Sequence, residues 1–116
     1  CRIRFYAQEI VVFREDILKK MQRNCIFPPA PETDATECLV QSLLDQGHLC
    51  PLPLTTRPIH WSYDHALRLH PMPDVVILAD HSDQYSCTYQ DCLAVNPGSF
   101  PTDFSFLVYQ PSSGVP

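Results

Sequence analysis

The sequence predicts an α/β fold, in which strands and helices follow one another along one chain of 116 residues. Residues 10–13 and 75–78 are continuous apolar runs with the length of buried strands. Between them lie two segments whose apolar residues recur at helical spacing. A content of 45% hydrophobic and 18% charged residues is that of an ordinary globular chain of at most one domain.

The first element is a predicted hairpin over residues 2–13. Ile3 and Phe5 alternate on its first arm, Ile10 and Val12 alternate on its second, and the turn lies near residues 7–8. The unbroken apolar run 10–13 indicates that the second arm is buried on both faces.

A helix is predicted directly after this strand, from a segment that opens with residues 14–16 (RED). Acidic residues at its start and basic residues at its end suit the helix dipole, so we assign Glu15 and Asp16 to the first turn. The apolar positions at helical spacing are Ile17, Leu18, Met21 and Cys25.

A proline-rich connector, about residues 27–33, ends this helix because proline lacks the amide hydrogen that a helix needs. Asp34 and Glu37 form a capping-box pattern, and Gly47 is a typical stop. The spacing therefore predicts a second helix over residues 35–46.

Five prolines between residues 48 and 73 predict an ordered but irregular excursion. Three further strands are expected, at residues 75–78, 92–95 and 104–109. The sequence Asn96-Pro97-Gly98 predicts a turn between the last two.

Charge and composition exclude some classes of function. A net charge of −5 and a pI of about 5.3 argue against a chain that binds nucleic acid by itself, because its basic residues form no cluster. No apolar run approaches the roughly 18 residues of a membrane span. The chain lacks an initiator methionine and opens in a strand, so we expect that it was cut from a longer protein.

Six cysteines allow two interpretations. In a secreted protein they would form a disulfide framework, whereas reduced cysteines act as small buried hydrophobic side chains. The apolar surroundings of Cys25, Cys38 and Cys92 favour the reduced form. A zinc site is less favoured, because the closest pair, Cys87 and Cys92, lacks the usual Cys-x-x-Cys spacing.

Four strings in order resemble a known family. They are residues 8–16 (QEIVVFRED), 47–54 (GHLCPLPL), 63–69 (YDHALRL) and 95–100 (VNPGSF). Together they resemble the carboxy-terminal part of the B subunits of DNA polymerase epsilon, over nearly the whole chain. A B subunit of another replicative polymerase is a more distant alternative, since residues 47–54 and 96–100 fit epsilon best.

That family is similar to the calcineurin-like metallophosphoesterases, whose fold is a sandwich of mixed sheets flanked by helices. The resemblance implies that residues 1–116 are the carboxy-terminal portion of one such domain. Active members hold two metals at strand ends. The corresponding positions here are Arg14, Ala79, Asp80 and Ser82.

These four positions predict no metal and no cofactor. A guanidinium cannot coordinate a cation, and Asp80 alone does not make a binuclear centre. We expect that Arg14 and Asp80 instead form an ion pair in which the arginine replaces the metal charge.

The resemblance implies a non-catalytic scaffold subunit in the nucleus. Its partners would be the zinc-bearing carboxy-terminal region of the polymerase epsilon catalytic subunit and the other holoenzyme subunits. DNA would be reached only through the complex, and no membrane is involved. The alternative is a metal-dependent phosphodiesterase or nuclease, which the lost ligand positions disfavour.

Other reactive residue types have ordinary explanations. Residues 80–83 (DHSD) contain the side chains of a hydrolase triad, but triads assemble from separate segments. Isolated histidines in a proline-rich segment are usually exposed or hydrogen-bonded; these are His48, His60, His65 and His70. Trp61 and Tyr63 suit a packed loop and a protein interface equally well.

Overall fold

The structure, a computed structural model, describes residues 1–112. The last four positions of the predicted domain, 113–116, lie outside the described residues. The chain divides into two compact units. The sheet unit combines Cys1–Asp16 with the chain from Pro73 onward, and the helical unit is Ile17–Met72.

The sheet unit contains a mixed five-stranded sheet in the order β1-β2-β3-β5-β4. Its strands are β1 (Arg2–Phe5), β2 (Gln8–Arg14), β3 (Val75–Ala79), β4 (Tyr85–Tyr89) and β5 (Cys92–Asn96). The three central strands β2, β3 and β5 run parallel, and β1 and β4 pair antiparallel at the two edges. This confirms the predicted α/β class and the hairpin at residues 2–13.

The core of the sheet unit lies on β3 and β5. Val75, Leu93 and Val95 are buried there, and Leu107 and Tyr109 are among the half-buried side chains that pack against them. All five residues of β5 are buried. Burial of β3 and β5 explains why their sequences are continuous apolar runs. Strand β2 differs, because only Val11 of residues 10–13 is buried, and the expected burial of this arm on both faces is wrong.

Strand β4 was not predicted from the sequence. Its side chains alternate between half-buried and exposed positions, as expected for an edge strand. Gln90 and Asp91 both have positive φ values, 48° and 61°, and join β4 to β5 in a two-residue turn. Two successive residues with positive φ give the turn the twist that a tight hairpin requires.

In the helical unit, α1 spans Ile17–Arg23, and its first turn contains no acidic residue. The assignment of Glu15 and Asp16 to that turn is therefore wrong. Arg14 is still part of β2, where it lies opposite Ala79 of β3, so the backbone is held extended up to this residue. The helix can begin only after the strand pairing ends.

The second helix, α2, spans Ala35–Gln46, as predicted. Asp34 accepts a hydrogen bond from the amide of Thr36 (2.8 Å), which satisfies one of the unpaired donors of the first turn. Gly47 has a φ of 62° and donates its amide to Leu44 O (3.0 Å), a left-handed cap. The buried face consists of Leu39, Val40, Leu43 and Leu44.

Residues 48–73 are irregular apart from one 3₁₀ helix, Trp61–Leu67, as the prolines predict. Within this excursion an antiparallel bridge joins His48 and Arg68, supported by hydrogen bonds from Leu49 N to Leu67 O and from Leu69 N to Gly47 O, both 2.8 Å. The two ends of the excursion are thereby held together.

The strand predicted at residues 104–109 is wrong. A short helix, α3 (Phe100–Asp103), comes first, and Phe104 adopts a left-handed conformation (φ 53°) that redirects the chain. Residues 104–109 are not paired as a strand within the part of the chain that is described. Their side chains still alternate, with Phe104, Phe106 and Val108 pointing outward, 73%, 67% and 70% exposed. We call these three residues the outer row.

Two general expectations can be compared with the structure. All six cysteines are free, so no disulfide framework is formed. Among the described residues, no helix combines the length and the apolar character that crossing a bilayer requires.

Candidate functional site

The parallel strands β2, β3 and β5 all end at the same side of the sheet, which we call the carboxyl edge. Strand β2 ends at Arg14, β5 ends at Asn96, and Asp80 follows β3. In sheets of this kind, side chains that carry function meet at the ends of adjacent parallel strands. The positions singled out from the sequence therefore lie along one edge.

Asp80 is held by hydrogen bonds at this edge. Its Oδ1 accepts from the backbone amide of Ser82 (2.9 Å) and from Nδ2 of Asn96 (2.6 Å). Asn96 Nδ2 also donates to Ser82 O (3.3 Å), and Asn96 Oδ1 accepts from the amide of Gly98 (3.0 Å). We call Asp80, Ser82, Asn96 and Gly98 the Asp80–Asn96 clasp, because it ties the loop after β3 to the turn after β5.

Asn96 is the residue of this site that sequence reasoning missed, since it was assigned only to a turn. It has no exposed surface at all. A buried amide is stable only when its donors and its acceptor find partners, and the clasp supplies them. The available signal was a polar residue directly after the buried run 92–95.

Tyr85 lies opposite Asn96 in the β4–β5 register. Burial, and next the negative charge of Asp80, raise the pKa of Tyr85 above its ordinary value. The phenol therefore keeps its proton in the alkaline range where an ordinary tyrosine loses it. Tyr85 Oη and Asp80 Oδ2 are both buried and have no hydrogen-bond partner within residues 1–112.

The expected ion pair between Arg14 and Asp80 is not formed among the described residues. The Asp80 carboxylate bonds instead to neutral amides of Ser82 and Asn96. Arg14 is exposed, so its guanidinium remains hydrated. A charge that keeps its hydration avoids the desolvation cost of a buried pair.

The residues at the carboxyl edge do not fit a binuclear metal centre. Arg14 cannot coordinate, Ala79 has no donor atom, and one oxygen of Asp80 already accepts two hydrogen bonds. No group of three or more His, Cys, Asp or Glu side chains within residues 1–112 is placed to hold a metal ion. His81 is exposed, and Ser82 joins the clasp through its backbone.

A second polar cluster lies in the helical unit. His48 Nδ1 accepts from the amide of Cys50 (3.0 Å), so its other nitrogen, Nε2, donates to Asp64 Oδ1 (3.2 Å). Arg68 binds Asp64 Oδ2 through Nε (3.0 Å) and Nη2 (2.8 Å). The bonds from Arg68 and then from His48 hold the pKa of Asp64 below its ordinary value.

This second cluster is a structural one, since it joins the two ends of the excursion at residues 48–73. It confirms that His48 is a hydrogen-bonded residue of the proline-rich segment. The other three histidines of the segment are exposed: His60, His65 and His70.

Comparisons with known proteins place the chain in a family. Residues 1–87 match the family described as the DNA polymerase alpha/epsilon B subunit. The chain is 49% identical to mouse DNA polymerase epsilon subunit 2 over 114 residues and 49% identical to the DNA polymerase epsilon B subunit of Arabidopsis thaliana over 115 residues. Each alignment covers 97% of this chain and 22% of the relative.

A human relative matches to nearly the same extent. Human DNA polymerase epsilon subunit 2 is 48% identical over 97% of the chain and 22% of its own length. The chain thus spans about a fifth of the length of the curated relatives that it matches. The predicted resemblance is confirmed: the chain belongs to the family of DNA polymerase alpha/epsilon B subunits.

Proposed function

We propose that this chain is a non-catalytic part of the replicative DNA polymerase epsilon complex, which supports nuclear DNA replication by binding the catalytic subunit. The proposal rests on membership of the B-subunit family together with the chemistry of the carboxyl edge. Arg14 and Ala79 stand at two strand ends there, and Asp80 is engaged by Asn96.

Catalysis by the alternative route would need two cations that activate a water and bind a phosphate oxygen. Arg14 and Ala79 contribute no ligand, which supports an inactivated phosphoesterase-like domain without metal or cofactor. The observation that favours the alternative is Asp80 Oδ2, a buried carboxylate oxygen without a hydrogen-bond partner among the described residues. A metal-dependent phosphodiesterase therefore remains the second candidate.

The charge of the chain supports a protein partner. With a net charge of −5, the chain has no excess of basic residues for neutralising phosphates, which supports a route to DNA through the complex. We propose that the zinc-bearing carboxy-terminal region of the catalytic subunit is bound directly, alongside other holoenzyme subunits. Trp61 and Tyr63 are each 69% exposed, and aromatic residues of this kind often anchor protein interfaces.

We further propose that residues 1–116 are the carboxy-terminal portion of one phosphoesterase-like domain. The relatives are several times longer than this chain. The outer row presents two phenylalanines and a valine on one side of an extended segment whose Leu107 packs inward. Contiguous exposed apolar surface of this kind is normally covered by other parts of a protein.

The deciding experiment combines binding and turnover on one sample of the intact protein. We expect stoichiometric co-purification with the carboxy-terminal region of the polymerase epsilon catalytic subunit, and no Mn²⁺-dependent phosphodiesterase activity above a blank. The binding step tests the scaffold, and the turnover step tests the enzyme.

Two variants make the turnover step specific. Asp80→Ala removes the carboxylate of the carboxyl edge, and Asp83→Ala removes an exposed carboxylate nearby. Activity that disappears with Asp80→Ala but persists with Asp83→Ala, in a protein that does not bind the catalytic subunit, would establish the phosphodiesterase and refute the scaffold.

A further inference from the structure

Strand β4 is an edge of the sheet that carries no charge. Among the residues described, it has a neighbouring strand, β5, on one side only. Its sequence, 85–89 (YSCTY), contains neither a charged residue nor a proline. The opposite edge strand, β1, carries Arg2 and Arg4, and charges of this kind discourage pairing with another chain. An uncharged edge that contains tyrosine and threonine is instead a template on which a further strand pairs.

The hairpin turn determines which backbone groups of β4 point to its outer side. The turn 90–91 consists of two residues with positive φ, and Tyr89 and Cys92 form the pair that closes it. In such a hairpin the closing pair exchanges both of its hydrogen bonds, and every second pair along the strands does the same. The N–H and C=O groups of the half-buried residues therefore point toward β5. Those of the exposed residues, Ser86 and Thr88, point away from it.

The sequence of β4 reads nearly the same in both directions. An antiparallel pairing of two copies about Cys87 places Tyr85 of one copy opposite Tyr89 of the other. It also places Ser86 opposite Thr88, so that the outward backbone groups of both residues meet and exchange hydrogen bonds. Aromatic side chains then face aromatic ones and hydroxyl groups face hydroxyl groups, and both kinds of cross-strand pair stabilise an antiparallel sheet.

We propose that β4 is a self-association edge, through which two copies of this protein join their sheets across a two-fold axis at Cys87. The occupant is a second copy because the strand is complementary to itself and not to a charged or proline-containing segment. A contact of this kind uses the same surface on both copies, so it closes at the dimer. It is independent of the proposed binding to the catalytic subunit.

The size and charge of the contact set its strength. Strands of five residues remove less surface from water than a standard protein interface does. Asp83 and Asp91 lie just beyond the two ends of the pairing, where an aspartate of one copy approaches an aspartate of the other. The net charge of −5 on each chain adds to this repulsion. We therefore expect a weak dimer that forms at high protein concentration and tightens when salt screens the charges.

Cys87 provides a direct probe of the pairing. Its two copies lie opposite each other in a pair without hydrogen bonds, whose Cα atoms are about 4.5 Å apart. This separation is within the range that a disulfide spans. Oxidation with diamide joins the two thiols, and the diamide takes up the two hydrogen atoms that they lose. Peptide mapping then identifies the cysteines that were joined.

The test is sedimentation equilibrium of the intact protein at concentrations up to about 1 mM, followed by trapping with diamide. We expect a reversible dimer and a disulfide between the two copies of Cys87. Thr88→Pro removes an outward N–H, a change that an edge strand tolerates, and should weaken the dimer at least about tenfold because the N–H is lost from both copies. Thr88→Ala is the matched control and should change the association by less than about twofold. Cys25→Ser, at an exposed cysteine of the helical unit, should leave the trapped dimer intact.

Thermal unfolding of each variant confirms that it is folded before it is compared. A protein that stays monomeric at every concentration overturns the proposal, as does a dimer that is unaffected by Thr88→Pro or trapped through a cysteine other than Cys87. Slow hydrogen exchange of the amides of residues 86–88 in the monomer also overturns it, because the rest of the protein would then cover this edge. Co-purification of the Thr88→Pro protein with the polymerase catalytic subunit is measured in parallel, so that failure of the self-association edge is distinguished from failure of the scaffold.

Discussion

At the scale of single residues, Asn96 decides the geometry of the carboxyl edge. Its amide group contacts Asp80, Ser82 and Gly98 at once. We predict that Asn96→Ala lowers the free energy of unfolding of the intact protein by about 2 to 4 kcal/mol, because Asp80 and the amide of Gly98 each lose a buried partner. Denaturant unfolding followed by circular dichroism measures this loss.

Asp83→Ala is the control for that measurement. Asp83 is exposed and close in sequence, so its removal is expected to change stability by less than about 0.5 kcal/mol. Equal effects of the two substitutions would show that the Asp80–Asn96 clasp contributes nothing to the fold.

Cys92 predicts a specific loss of stability in alkaline solution. Burial, and next the charge of Asp74, raise the pKa of Cys92 to about 11 from an ordinary value of 9.0. Above pH 9 the unfolded thiol releases its proton while the folded thiol keeps it, so stability falls as pH rises toward 11. The slope from this group is at most about 1.4 kcal/mol per pH unit.

The measurement compares unfolding free energies about half a pH unit below and above the ordinary pKa of the thiol, for the unaltered protein and for Cys92→Ala. The variant starts from a lower stability because a buried side chain is truncated. Its decline between the two pH values should nevertheless be shallower. Parallel declines would contradict the role assigned to Cys92.

At the scale of elements, two glycines with positive φ are expected to respond differently to alanine. Gly47 caps α2 with φ 62° and has open space where a Cβ would lie. Gly98 has φ 77°, and a Cβ there would collide with Ser105 Oγ. We predict a loss of about 1 kcal/mol for Gly47→Ala, from the left-handed conformation alone. A larger loss is expected for Gly98→Ala.

Ser105→Ala tests the cause of that difference. Ser105 Oγ is buried without a hydrogen-bond partner among residues 1–112, so its removal alone should have a small effect. Combined with Gly98→Ala, it should restore part of the lost stability. Strict additivity of the two substitutions in thermal unfolding would rule out the collision.

Elements with strong local determinants could be predicted from the sequence. Helix α2 agrees with prediction because Asp34 and Gly47 fix its ends whatever the rest of the chain does. Strand β4 contains no apolar run that would predict a strand. It is extended because it pairs with β5, and this pairing cannot be predicted from the residues of β4 alone. The side chains of residues 104–109 alternate between exposed and half-buried positions, as in a strand. A strand also needs a neighbour to pair with, and the alternation does not show whether one is present.

The residues of the carboxyl edge also differ in whether the sequence alone could predict their roles. Arg14 and Asp80 were identified through the family resemblance, because they occupy the positions that hold metal ligands in active metallophosphoesterases. The role of Asn96 depends on β5 lying next to β3, which brings its amide to Asp80. The expected ion pair is not formed although Asp80 Oδ2 has no hydrogen-bond partner among residues 1–112, because the Arg14 side chain stays in solvent.

At the scale of the whole molecule, the outer row can show whether other parts of the protein contribute to the stability of this segment. If other parts of the protein cover this row, Phe106→Ser lowers the free energy of unfolding of the intact protein by about 2 to 4 kcal/mol. Asp83→Ala, at an exposed polar residue of the sheet unit, should change it by less than about 0.5 kcal/mol. Similar small changes in both would show that the outer row stays open to solvent.

The order of the sheet also has a consequence for synthesis of the protein. Strand β2 pairs with β3, and Glu9 and Asp74, which are hydrogen-bonded where the two strands begin, are 65 positions apart. A ribosome that adds about 5 to 20 residues per second needs roughly 3 to 13 s to cross that distance. During this interval the apolar strand β2 has left the ribosome without its central neighbour, while Ile17–Met72 emerges. Slow translation of this stretch therefore prolongs exposure of an unpaired apolar strand, and nascent chains paused there are the ones expected to need a chaperone.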